Sequence, residues 1–68
     1  MKNELLDIIN NLPSEEKTVI NLYYGINGIN LQHSIKSIAL LLDKSESTIK
    51  RIKRKALQDI KEKLFYEE

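Results

Sequence analysis

The sequence predicts an all-α fold, a small four-helix domain whose last two helices are joined by a short turn. Three observations carry that prediction. Apolar residues recur at steps of three and four along most of the chain. No stretch alternates apolar and polar residues as a half-buried strand would. Residues that start or stop helices punctuate the pattern at Pro13, Gly25, Ser34 and Ser45.

The elements follow in order. Leu5, Leu6, Ile8, Ile9 and Leu12 give a first helix. Pro13 then suits the first turn of a second helix, where its missing N–H costs nothing. Glu15 and Glu16 follow it, and the helix dipole favours acids there. That helix runs through Val19, Ile20, Leu22 and Tyr23, with Tyr23 and Tyr24 expected at the core and its edge, and Gly25 stops it. "GINGINLQHS" reads as a loop, in which Ile26 and Ile29 are expected to close over the core or to form part of a partner surface, and His33 to be solvated. Ser34 is a good N-cap for a third helix with Ile35, Ile38, Ala39, Leu41 and Leu42 as its apolar positions. "DKS" breaks the chain, and Ser45 caps a fourth helix. Its stripe is Ile49, Ile52, Ala56, Ile60 and Leu64, and Phe65 or Tyr66 is expected to pack on the first helix or to fray.

A turn of three or four residues cannot fold two helices back on each other as antiparallel neighbours. It suits the wide crossing of a C-terminal helix-turn-helix. Ala39 is small enough to let the two helices approach, with Leu42, Ile49 and Ile52 locking them from the core side.

Size and composition exclude several classes. Sixty-eight residues make one small domain, expected to span 1–68. There is no cysteine and a single histidine, so no disulfide, metal centre or other cofactor is expected. A reducing, cytoplasmic setting is the expectation, from cysteine usage and from an N-terminus that does not read as a basic-then-apolar leader. No apolar run is long enough to span a bilayer. No paired catalytic groups are present, so the chain is not expected to be an enzyme; Ser45, Ser47 and Thr48 have no nearby histidine to activate them.

Charge is unevenly placed. Residues 1–43 hold three cations against five acids, a net of −2, whereas residues 44–63 hold eight cations against three acids, a net of +5. That asymmetry is the footprint of a polyanion binder. If Ile49, Ile52, Ala56 and Ile60 face the core, then Glu46, Ser47, Lys50, Arg51 and Arg54 face away. A recognition helix reads bases with its N-terminal residues. Lys50 or Arg51 can donate to guanine O6 and N7, and Glu46 can accept from cytosine N4. Lys44, Lys53, Arg54 and Lys55 suit phosphate contacts along the flanks, and Ser45 and Ser47 suit capping together with phosphate or base contact.

At this point the chain resembles a known module, region 4 of bacterial sigma factors of the sigma-70 family. The resemblance rests on Leu12-Pro13, Glu16, Tyr24-Gly25-Ile26-Asn27, Ser34 and Lys55-Ala56-Leu57, in that order, over roughly residues 5 to 64. It implies a DNA-binding transcription-initiation module that recognises a −35-type promoter element in the major groove. It also implies docking on the β flap of RNA polymerase core. The matching base-reading positions are Glu46, Ser47, Lys50 and Arg51, and Ser34 matches a phosphate contact at a helix start. The flap-facing matches are Tyr24, Ile26 and Ile60. An anti-sigma factor or a separate melting subunit would be a further partner.

The chain departs from the family pattern at three points. Glu46 and Ser47 stand where primary sigma factors tend to carry arginine and then glutamate. Lys44 stands at a turn position usually apolar. The family's promoter-melting region is absent, so this chain is expected not to open DNA by itself. A fragment of a longer sigma factor, a subunit of a split one, and a phage or plasmid regulator all fit. Two other readings stay open. One is a stand-alone helix-turn-helix regulator of the response-regulator type acting as a dimer, against which the long loop from Gly25 to Ile38 argues. The other is a helical adaptor that binds only protein.

Overall fold

The computed structural model describes residues 4–66, and these form four helices and no strand. They are α1 (Glu4–Asn10), α2 (Ser14–Tyr24), α3 (Ile35–Leu42) and α4 (Glu46–Tyr66). Of Tyr66 only the backbone is described.

Each boundary has a local cause. Pro13 sits one position earlier than its sequence suggested, at the N-cap of α2 with ψ 146°, and its carbonyl accepts from Lys17 N at 2.9 Å. Gly25 ends α2 in the left-handed conformation, φ 64° and ψ 48°. A Cβ at that position would lie 3.1 Å from the backbone of Leu31 and Gln32, so glycine is required twice over, by φ and by space. Ser34 caps α3 by accepting from Ser37 N at 3.1 Å.

The loop between α2 and α3 is tied down by its own polar groups. Asn27 Nδ2 donates to Asn21 Oδ1 at 2.9 Å and to Asn10 Oδ1 at 3.2 Å, linking the ends of α1 and α2. His33 N–H donates to Leu22 O at 2.9 Å. His33 was expected to be solvated. Instead it is half-buried, with Nδ1 3.0 Å from Leu31 O and 3.3 Å from Leu22 O. Both neighbours are carbonyl oxygens, so Nδ1 carries the hydrogen.

The core has two lobes strung along α4. Val19, Ile38, Ala39, Ile49 and Ile52 form the first, with Leu22, Tyr23, Ile35 and Leu42 packed on it. Ile9, Ile20, Ala56 and Ile60 form the second, with Ile8, Leu12 and Ile26 packed on it. Val19, Ile38 and Ile49 have no exposed surface. Each such side chain contributes about 1.5–3 kcal/mol of burial. At about 1.5 Å per residue α4 is roughly 31 Å long, most of the 37 Å long dimension. It therefore serves as the spine on which α1, α2 and α3 pack.

Two apolar expectations change. Leu41 points to solvent at 60% exposure beside Leu40 at 76%, because the arc that meets α4 is taken by Ile35, Ile38, Ala39 and Leu42. The α4 stripe closes at Ile60: Leu64 is half-exposed and Phe65 is 71% exposed, so Phe65 does not pack back on α1.

Candidate nucleic-acid interface

The turn between α3 and α4 is three residues, Asp43 to Ser45. Asp43 takes the left-handed conformation at φ 56° and donates its N–H to Ala39 O and Leu40 O. Lys44 N–H donates to Ala39 O at 2.9 Å. Together these bonds close the α3 C-terminus as a Schellman motif, with aspartate where glycine is usual. Such a motif normally places an apolar side chain at the Lys44 position. Here the lysine instead runs to α2, where its Nζ is 3.3 Å from Glu15 Oε2.

Ser45 caps α4. Its Oγ accepts from Thr48 N at 3.1 Å and donates to Thr48 Oγ1 at 2.8 Å, and Ser47 Oγ lies 3.3 Å away. The start of α4 therefore carries a connected set of hydroxyls. Ile49, Ile52 and Ala56 turn into the core immediately after it.

Core burial fixes what faces outward. Ser47, Lys50, Arg51 and Arg54 are spaced i, i+3, i+4 and i+7, so they share one arc, opposite the buried stripe. All four are exposed, and so is Glu46 at the arc's edge. Among the described residues, no carboxylate pairs with Lys50, Arg51 or Arg54.

The expected flank cations behave differently. Lys44 is paired with Glu15. Lys55 Nζ is 2.5 Å from Asp59 Oδ1, one turn on. Glu16 of α2 joins this pair. Burial and its hydrogen bond with Asp59 push the Glu16 carboxyl above the ordinary range. The bonds from Lys55 and then Glu16 hold Asp59 below that range, and the Asp59 bond raises Lys55. Glu16 Oε1 is buried without a hydrogen-bond partner. Lys53 has no carboxylate; its ammonium stands 4.1 Å from the centroid of the Tyr23 ring. The sequence places Tyr23 at the core or its edge, and no local spacing links it to Lys53.

The positions matched to a polymerase-facing surface do not all reach the surface. Tyr24 is 40% exposed and Ile26 is half-buried against the second lobe. Ile60 is 8% exposed and belongs to that lobe, because it continues the buried stripe of α4. It is not available as a docking contact. Among the described residues no helix is long and apolar enough to cross a membrane, and no group of three His, Cys, Asp or Glu could hold a metal.

Two helices locked across a three-residue turn, the second presenting an unpaired basic arc, define a DNA-binding helix-turn-helix domain. Residues 8–62 match the family described as sigma-70, region 4, and the chain belongs to that family. None of the curated proteins and none of the solved structures matches it.

Proposed function

We propose that this chain recognises a −35-type promoter element in the major groove while docked on the β flap of RNA polymerase. The observation that supports this most is the arc of Ser47, Lys50, Arg51 and Arg54, unpaired by carboxylates and backed by buried isoleucines. Lys50 and Arg51 are the base readers, able to donate to guanine O6 and N7, and Glu46 at the edge can accept from cytosine N4. Arg54 is the phosphate contact one turn on. Ser34 and Ser45 act first as helix caps.

Tyr24, exposed, and Ile26, half-buried, are the proposed polymerase contacts. A single small interface gives modest affinity, and a second anchor on polymerase would raise it by avidity.

The test is a competitive binding series on duplexes differing at single base pairs. Lys50→Ala and Arg51→Ala are each expected to lose discrimination by about 1–3 kcal/mol. If both variants rank all duplexes as the parent does, the reading face is misassigned. In parallel, a β-flap fragment should retain the parent chain and release Tyr24→Ala. Full DNA binding with no flap retention, and sedimentation as a dimer on a palindromic duplex, would favour a stand-alone regulator.

A further inference from the structure

Two lysines flank the reading arc, two positions apart and so on opposite sides of it, and they are held in different ways. Lys55 sits on Asp59, so its charge is cancelled within its own helix. Lys53 sits over the Tyr23 ring, 4.1 Å from its centroid. An aromatic face attracts a cation through its quadrupole but carries no net charge. The ring therefore fixes where Lys53 points without neutralising it.

The ring is itself fixed. Tyr23 packs on the first core lobe, and Tyr24 meets it edge-on at a centroid distance of 4.9 Å and an interplanar angle of 80°. On its other margin Tyr23 lines a shallow cleft with Gln32, His33 and Ser34, the residues that lead into α3. The Tyr23–Lys53 contact thus lies between the reading helix and the entry to α3. In a helix-turn-helix the helix before the reader crosses the DNA backbone. A charged lysine held on this margin is placed to meet a phosphate, whereas on the opposite margin the charge of Lys55 is spent on Asp59.

Resting on the DNA-binding reading above, we infer that Tyr23 is a positioning residue for DNA binding. Its ring holds the still-charged ammonium of Lys53 at the edge of the α4 arc, as a sequence-independent phosphate contact. A free lysine must give up rotamer freedom when it meets a phosphate. Here much of that freedom is already gone before DNA arrives.

The test is a double-mutant cycle on a mixed-sequence duplex, read as affinity and as its salt slope. Lys53→Gln is expected to weaken binding evenly across sequences and to shrink the log–log salt slope by about 0.9. Tyr23→Leu is expected to weaken binding by about 2–5-fold in the parent, the range for an exposed cation–π contact, and not at all in the Lys53→Gln background. Tyr23→Phe keeps the ring and should keep the coupling. An unchanged salt slope in Lys53→Gln overturns the inference, and that surface variant does not depend on Tyr23→Leu folding. Equal losses from Tyr23→Leu in both backgrounds also overturn it, since the role is then only structural. So does tighter binding by Tyr23→Leu, which would mean the ring withholds the lysine. A parent that binds no duplex sinks the DNA reading with it. A parent whose Lys50→Ala and Arg51→Ala variants lose discrimination, while Lys53→Gln does nothing, sinks this inference alone.

Discussion

The salt dependence of DNA binding can be worked from which charges are free. Residues 44–63 hold eight cations, but not all of them face DNA unpaired. Lys44 is on Glu15 and Lys55 is on Asp59. Lys61 and Lys63 lie at least about 15 Å along α4 beyond Arg51, at about 1.5 Å per residue. That leaves Lys50, Arg51, Lys53 and Arg54. If each neutralises one phosphate, the slope of log affinity against log salt is about −0.9 × 4, or roughly −3.6. Raising salt from about 50 to 200 mM then costs about 150-fold in affinity. Were Lys44 and Lys55 to count equally, the slope would be about −5.4 and the loss about 2,000-fold. The pairs should not count, because opening one toward a phosphate leaves its carboxylate facing a polyanion. The perturbation is Lys44→Gln with Lys55→Gln, against Lys50→Gln with Arg54→Gln. Anisotropy titrations of a labelled duplex over a series of KCl concentrations give each slope. The first pair should leave it near −3.6, and the second should bring it to about −1.8. Equal reductions from the two pairs would refute the division into free and spent charges.

Three further outcomes are expected. Glu16→Gln should stabilise the fold at pH 7 by about 0.5–1 kcal/mol, because the amide donates to Asp59 without needing a proton. Glu16's raised folded value means its contribution is full below the ordinary 4.5 and is lost as pH rises through the folded value. The advantage of the variant should therefore vanish in melts at about pH 4 and grow toward neutrality; the same gain at both would show that Glu16 carries no retained proton. Asp59 runs the other way, its contribution full above the ordinary 3.8 and lost as pH falls through its lowered value, so Asp59→Asn should cost stability at pH 7 but little in strong acid. Gly25→Ala should cost about 1–2 kcal/mol in thermal melts, since it combines a left-handed φ of 64° with a 3.1 Å approach to the loop backbone. Ile60→Ala should cost about 2–4 kcal/mol in urea unfolding if the residue is core, and well under about 1 if it is a docking surface.

Much of the fold was legible because single residues decide it locally. Gly25, Ser34 and Ser45 each stop or start a helix by a contact within four residues of themselves. The stripe Ile49, Ile52, Ala56, Ile60 was legible because, Leu57 apart, polar residues fill the positions between its members. The α3 stretch "IALLL" was not legible in the same way. Five consecutive apolar residues cover the whole circumference, so hydropathy cannot choose a face, and only packing against α4 turns Leu40 and Leu41 outward. Lys55–Asp59 could have been found from its i, i+4 spacing. Lys44–Glu15 and Lys53–Tyr23 could not, because their partners meet only when α2 folds across the helix-turn-helix.

That last point gives α2 a role beyond packing. Its first turn supplies Glu15 to the turn lysine and Glu16 to the Lys55–Asp59 pair, and its last turn supplies Tyr23 to Lys53. Three α2 side chains therefore act on three of the cations that the sequence places around the reading helix. Two of those cations end beside carboxylates and one beside a neutral ring. The arc of Lys50, Arg51 and Arg54 lies on the far side of α4, beyond their reach. The positive face presented to DNA is thus narrower than the charge count of residues 44–63 suggests. Its width is set by a helix that need not touch DNA. A charge-changing substitution at Glu15 should alter DNA affinity without altering which bases are preferred, since it frees Lys44 and leaves Lys50 and Arg51 where the buried stripe puts them. A changed base preference in that variant would show that the reading arc is not held by the core alone.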